Sequence, residues 1–191
     1  TVGFEKSDSG GPLTLGNNTT VVPTGILVIT GGDIDAFVGY ASGGIDPDKT
    51  FAEQADNLYG FGVEGVDFAL AQIKGGGKTF TALKAQADTV SLYGFDQEMF
   101  ELSATDFSIE INRASAGGVA IDFQTSFDST GGLLVETGGE DVLLDFDGGT
   151  RLGVFAGTAT LSIYRFVFFQ GGIGFEKSDI PAGLKLGNGT L

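Results

Sequence analysis

Three stretches of this chain have the residue types and spacing of known chemistry, and each lacks a part that the chemistry requires. Asp8-Ser9-Gly10-Gly11-Pro12-Leu13 has the pattern found around a serine-hydrolase nucleophile, but activating that hydroxyl takes an imidazole base, and the chain has no histidine. The later stretch Asp179-Ile180-Pro181-Ala182-Gly183-Leu184 keeps the frame and drops the serine, so both read as turns. Gly60-Phe61-Gly62-Val63-Glu64-Gly65 satisfies G-x-G-x-x-G, yet a dinucleotide fingerprint must open a helix inside a βαβ unit. Here the following residues read as strand and run into Gly75-Gly76-Gly77. Gly77-Lys78-Thr79 has the end of a phosphate-binding loop, with Gln72 where its first glycine belongs. Cysteine is also absent, which removes thiolate nucleophiles and thiolate metal sites. The reading is that of no enzyme; a carboxylate or Ser–Lys hydrolase is all that survives of that class.

Carboxylates are the remaining chemical groups. Asp33-Ile34-Asp35, Asp46-Pro47-Asp48, Glu140-Asp141 and Asp145-Phe146-Asp147-Gly148-Gly149 offer oxygen ligands for a hard cation, without EF-hand spacing. Calcium is therefore the one cofactor the sequence allows for, first at Asp46 with Asp48 and at Asp145 with Asp147; otherwise no cofactor is expected. Glycoside hydrolysis by a carboxylate pair is disfavoured, because acids lie everywhere and there is no tryptophan to stack a sugar. Asn17-Asn18-Thr19-Thr20 and Asn188-Gly189-Thr190 contain glycosylation sequons at Asn17, Asn18 and Asn188, although a polar turn closing a strand is the simpler reading. With 10 Lys and Arg against 25 Asp and Glu the net charge is −15, which repels nucleic-acid phosphates and excludes that partner. No apolar run reaches the roughly 20 residues that span a bilayer as a helix, so no membrane insertion is expected.

The elements that position these residues read as strands. Glycine occurs 33 times and proline 4, among runs rich in Val, Ile, Thr and Phe, which describes an all-β chain with little or no helix. Strands are expected at 25–29 and 34–40, separated by a Gly31-Gly32 turn, with a polar loop from Ser42 to Gln54. Segments 63–73 and 79–92 flank a glycine hairpin at Lys74 to Lys78. Alternation puts Phe107, Ile109 and Ile111 inward and Asp106, Ser108, Glu110 and Asn112 outward, and Val119, Ile121 and Phe123 repeat it. Further strands at 133–136, 142–146 and 154–163 continue an antiparallel meander that forms a sandwich or an elongated β-stack. Phe166-Val167-Phe168-Phe169 is apolar on both faces, which suits a covered strand or a junction between units.

The sequence also repeats itself. Gly3-Phe4-Glu5-Lys6-Ser7-Asp8 recurs as Gly174-Phe175-Glu176-Lys177-Ser178-Asp179, an offset of 171 residues. The same offset aligns Leu13 with Leu184, Leu15 with Leu186, Gly16 with Gly187, Asn17 with Asn188 and Thr19 with Thr190, giving 11 identities over Gly3 to Thr20. Residues 1–191 thus read as one β-rich repeat unit, with 3–20 and 174–191 as equivalent segments of successive repeats. The assembly residues implied are Phe4, Glu5, Lys6, Leu13 and Leu15 in the first copy and Phe175, Glu176, Lys177, Leu184 and Leu186 in the second.

Ala36-Phe37-Val38-Gly39, Gly65-Val66-Asp67-Phe68-Ala69-Leu70-Ala71, Phe80-Thr81-Ala82-Leu83-Lys84-Ala85 and the closing Gly171-Gly172-Ile173-Gly174-Phe175-Glu176-Lys177 resemble a tandem repeat domain of giant secreted bacterial proteins, the adhesin-like, RTX-type surface proteins. The resemblance implies an exported component of the cell surface or its matrix, and it brings no catalytic residue. The expected function is a structural repeat of an extracellular surface protein or filament, its partners neighbouring copies joined head to tail by strand complementation. The alternative is a calcium-dependent adhesin module that binds glycans.

Overall fold

The structure is a computed structural model that describes residues 1–96, 99–127, 129–164 and 166–178. In chain order the strands are β1 (Val2–Ser7), β2 (Leu13–Thr14), β3 (Thr20–Val21), β4 (Pro23–Ala41), β5 (Leu58–Gly75), β6 (Lys78–Tyr93), β7 (Phe100–Ala114), β8 (Leu133–Val135), β9 (Val142–Leu144), β10 (Arg151–Ile163) and β11 (Val167–Ser178). One helical turn, α1 (Phe123–Ser126), and a 3₁₀ segment, Ala52–Asn57, are the helices among the described residues. Seven strands form one antiparallel sheet in the order β1-β4-β5-β6-β7-β10-β11, an all-β meander. The hairpin expected at Lys74 to Lys78 closes between Gly75 and Lys78, with Gly76 and Gly77 at φ 57° and 73°. Positive φ at both central positions gives the turn the twist of the strands it joins, and glycine adopts it without strain.

Short pieces cover one face of the sheet. β2 with β3, β8 with β9 and α1 lie over Ala69, Ala71, Ile73, Phe80 and Ala82, and their own Leu13, Val21, Ile121, Phe123, Val142 and Leu144 complete a buried cluster. Small alanines on the sheet leave room for the large side chains of the cover, which is how close packing is reached without voids. A second cluster on the same side joins Phe51, Leu58 and Tyr93 under the loop after β4. The opposite face carries no covering segment among the described residues.

The structure corrects four sequence expectations. Segments 25–29 and 34–40 are one strand, because Gly31-Gly32 makes a bulge and not a turn. Phe107, Ile109 and Ile111 do alternate with Ser108, Glu110 and Asn112, but the apolar set lies on the open face and Asn112 is 1% exposed on the covered one. There the Asn112 amide donates to the Ile121 and Gly149 carbonyls at 2.9 and 3.2 Å, which satisfies its burial. Val119 to Phe123 is not a strand: Ile121 and Asp122 make isolated bridges, and the Asp122 carboxylate caps α1 by accepting from Thr125 N–H at 2.8 Å. The loop read at Ser42 to Gln54 ends in the 3₁₀ segment.

Tyr93 gives the second cluster a pH signature. Burial of its phenol, and then the neighbouring Glu64 carboxylate, raise its pKa above 10.0. The folded chain therefore holds this proton more tightly than the unfolded chain, so the stability it contributes is complete below pH 10 and is lost as pH rises through the raised folded value. Tyr93→Phe removes that titration. Between about pH 9 and about pH 11 its melting temperature should fall by less than the parent's, as read by circular dichroism.

Candidate functional site at the sheet edges

The opening residues of the two copies, Gly3 to Ser7 and Gly174 to Ser178, lie on the two edge strands of the one large sheet. β1 pairs with β4, from Val2 opposite Gly31 to Ser7 opposite Ile26. β11 pairs with β10, and its repeated part runs from Ile173 opposite Ala156 to Ser178 opposite Arg151. Six antiparallel steps separate β1 from β11, so both strands run in the same direction. Each presents an outer edge that no described strand occupies.

The faces match as well. Register carries Phe4 through Ile29, Leu70, Leu83, Ile111 and Leu152 to Lys177, and Val2 through Gly31, Phe68, Ala85, Ile109 and Val154 to Phe175. Both rows lie on the open face, so Phe4 and Phe175 point the same way, at 70% and 58% exposure. Glu5 and Glu176 share the covered face, in rows that also hold Ala69, Ala71 and Ala82. Subtracting the 171-residue offset makes Lys177 the equivalent of Lys6, two positions beyond Phe4. Crossing the sheet thus shifts the register by two residues, an even step that keeps every side chain on its face; an odd step would turn each to the other side.

Length supplies a third match. β1 covers only the first half of β4, and residues from Ile34 to Ala41 have no partner on that side among the described residues. β11 carries six residues, Val167 to Gly172, ahead of the part equivalent to β1. A strand with the 12-residue length of β11 in the place of β1 would extend the six-residue pairing further along the 19 residues of β4, into the stretch that β1 leaves bare.

Glycine stands at the head of both copies because neighbours on the covered side lean over it. A β-carbon at Gly3 would meet Thr30 Oγ1 at 2.5 Å, and one at Gly174 would meet the Phe155 ring at 2.9 Å. Beside Gly174, Glu176 enters an ionic chain: Arg151 Nη2 lies 3.7 Å from Glu176, Arg151 Nε 2.6 Å from Glu110, Lys84 3.5 Å from Glu110, and Lys84 also pairs with Asp145. Arg151 Nε makes no aligned hydrogen bond despite that distance, so the contact with Glu110 is an ion pair held by charge. The chain links β6, β7, β10 and the end strand β11 on the covered face. Sequence patterning did not pick out Arg151, Glu110 or Lys84, since their partnership depends on register across four strands.

The remaining candidates are placed as follows. Lys6 pairs with Asp8 at 3.4 Å on the surface. Leu13 is buried in the main cluster, and Leu15 packs on it and bridges to Ile121, so the segment after β1 crosses onto the covered face. Leu184, Leu186 and Asn188 lie outside the described residues. Asp46 Oδ1 accepts from Asp48 N–H at 3.1 Å and its other oxygen pairs with Lys49 at 3.5 Å. Asp145 is paired with Lys84, while Asp147 accepts from Gly149 N–H at 3.1 Å. The carboxylates of Asp46, Asp145 and Asp147 serve as turn acceptors and ion-pair partners, and among the described residues no three acids converge. Asn17 and Asn18 make the turn between β2 and β3: Asn17 Oδ1 accepts from the Thr19 hydroxyl at 2.7 Å, and Asn18 stands at φ 63°. Both sites are exposed, and Ser9, Gly60-Phe61-Gly62 and Gly77-Lys78-Thr79 lie in a surface loop, in β5 and at the β5–β6 hairpin.

No family model matches the chain, no curated protein matches it, and no solved structure matches its fold.

Proposed function

We propose that the chain is a structural repeat unit of an extracellular bacterial surface protein or filament, in which the repeated segment serves two units at once. The observation that carries this reading is that the two copies form opposite edges of one sheet while agreeing in direction, in face and in register step. Under the proposal β11 of one unit is β1 of the next: it pairs with β10 behind it and with the following β4 ahead of it. Each period then adds six strands, an even number, so antiparallel alternation continues without a break. The unpaired half of β4 and the extra residues of β11 complement one another in the same arrangement. Val167, Phe168 and Phe169, exposed at an edge in one unit, become part of a central strand, which removes an edge that an isolated domain would have to protect. The extracellular setting rests on the resemblance to secreted repeat proteins. The calcium-dependent alternative gains no specific support from the carboxylates, of which Asp46, Asp145 and Asp147 have partners of their own.

Length measurement tests the proposal. Chains of two, three and four 171-residue periods should appear by electron microscopy as unbroken rods that lengthen by about 29 Å per period, from six strand spacings of about 4.8 Å. Beads separated by gaps, with larger and variable spacing, would refute it.

A further inference from the structure

The open face of the sheet needs an occupant, and we infer that it is the same face of a second copy of this chain. The inference rests on the fold of the unit and deepens the proposed function by adding a lateral partner to the head-to-tail one.

The face is broad and apolar. Beyond the two rows that end at Lys177 and Phe175, Val66, Ala87, Phe107, Ala156 and Ile173 form a third. The four strands β5, β6, β7 and β10 then pass together through an irregularity at Gly65, Asp88, Asp106 and Gly157, where Gly65 and Asp106 take φ 63° and 52°. Past that crease the apolar side chains return to the open side: Phe61, Leu102 and Ala104 line one cleft with Phe107, Val154 and Ile173, of about 290 Å³. Six interstrand spacings of about 4.8 Å and roughly ten residues of about 3.3 Å give a face of about 1,000 Å². A stable interface takes roughly 800 Å² per partner, and uncovered apolar patches on monomers rarely exceed a few hundred.

Three observations select a second copy as the occupant. Charge is the first: the chain carries −15, yet the three rows contain no carboxylate, and their only charged side chains are Lys6's equivalent Lys177 at one edge and none within the sheet. Over these rows two such faces meet without opposing acids, the exposed Asp88 and Asp106 standing beyond them at the crease, whereas most other surfaces of two copies of so acidic a chain would repel. Area is the second, since the face alone meets the requirement for a stable pair. Periodicity is the third: a sheet that continues through successive units offers this face every 171 residues, and another series of the same units matches that spacing without further adjustment. Two sheets stacked about 10 Å apart, with strands within about 30° of parallel, make an ordinary aligned sandwich whose core is the Phe-rich layer. A two-fold axis then makes the contact self-complementary and closed.

The experiment uses the 191-residue chain and two substitutions each two strands in from the nearer edge, Phe61→Glu on β5 and Leu102→Glu on β7, at side chains that are both 42% exposed in the unit. Sedimentation equilibrium should give a closed dimer for the parent and a monomer for the double variant, with at least a hundredfold weaker association. Because both positions are open in the unit, circular dichroism of the variant monomer should retain the strand spectrum. Small-angle scattering of the parent gives an independent measure, expected to show a particle of doubled thickness and little added length. An open series of oligomers in place of a dimer would mean that edges, not faces, associate, and would overturn the inference while leaving the head-to-tail reading intact. A parent that is monomeric at high micromolar concentration would overturn it too, as would a parent that stays monomeric and partitions onto phosphatidylcholine vesicles. Rods of multi-period chains that keep their 29 Å step while the double variant halves their mass per length would support both readings separately.

Discussion

Two 171-residue periods in one chain should unfold in a single transition, with a denaturant dependence near twice that of one unit and a higher midpoint. The physical source is the strand that the proposed arrangement shares between units. One unit already pairs β1 with β4 over six residues, Val2 to Ser7. When the equivalent six residues of β11 make that ladder with the following unit, neither unit can open without breaking the other's edge. At about 0.5–1.5 kcal/mol net for each hydrogen bond, the ladder couples neighbours by roughly 3–9 kcal/mol before any side-chain packing is added. Coupling of that size exceeds thermal energy several times over and makes partly unfolded series rare. Urea titration followed by circular dichroism supplies the measurement: two independent transitions, or one transition with the midpoint and slope of the single unit, would contradict a shared strand.

Phe123→Ala should destabilise the unit by about 3–5 kcal/mol, the largest effect expected of a single side chain. Phe123 is 1% exposed at the centre of the covering layer. Its ring stacks on Phe127 at 6.0 Å and meets Phe146 edge-on at 6.2 Å, and its N–H donates to the Phe146 carbonyl at 2.7 Å. Truncation leaves a cavity that neither neighbour fills, because α1 is capped by Asp122 and cannot slide. Chemical denaturation should show a lowered midpoint with an unchanged slope; a loss below 1 kcal/mol would mean that the covering pieces are not a packed core.

The repeat, the all-β class and the Gly76-Gly77 hairpin are legible in the sequence because each has a local cause: identity at a fixed offset, residue propensity, and glycines at positive φ. The strand β4 is not, because Gly31-Gly32 looks like a turn until the cover is present. A β-carbon on Gly32 would overlap the backbone at Gly139, so this glycine exists for the close approach of the loop after β8. Alternation in β7 is visible, yet its sense is not, since both faces of the sheet are apolar and only the cover decides which is the core. Asn112 is the side chain that patterning most misplaces, as a polar residue buried to tie Ile121 and Gly149 to the sheet. The edge positions of the two repeats follow from strand order, which composition and spacing do not encode.

The two-residue register step also has a mechanical result. In the proposed series a line of hydrogen-bonded neighbours would advance about 6.6 Å along the strands for each roughly 29 Å of length, so the strands would lean about 13° from the perpendicular to its axis. A ribbon built with that lean has its interstrand diffraction displaced from the meridian, and pulling its ends loads each ladder partly in shear, the direction in which many bonds must yield together.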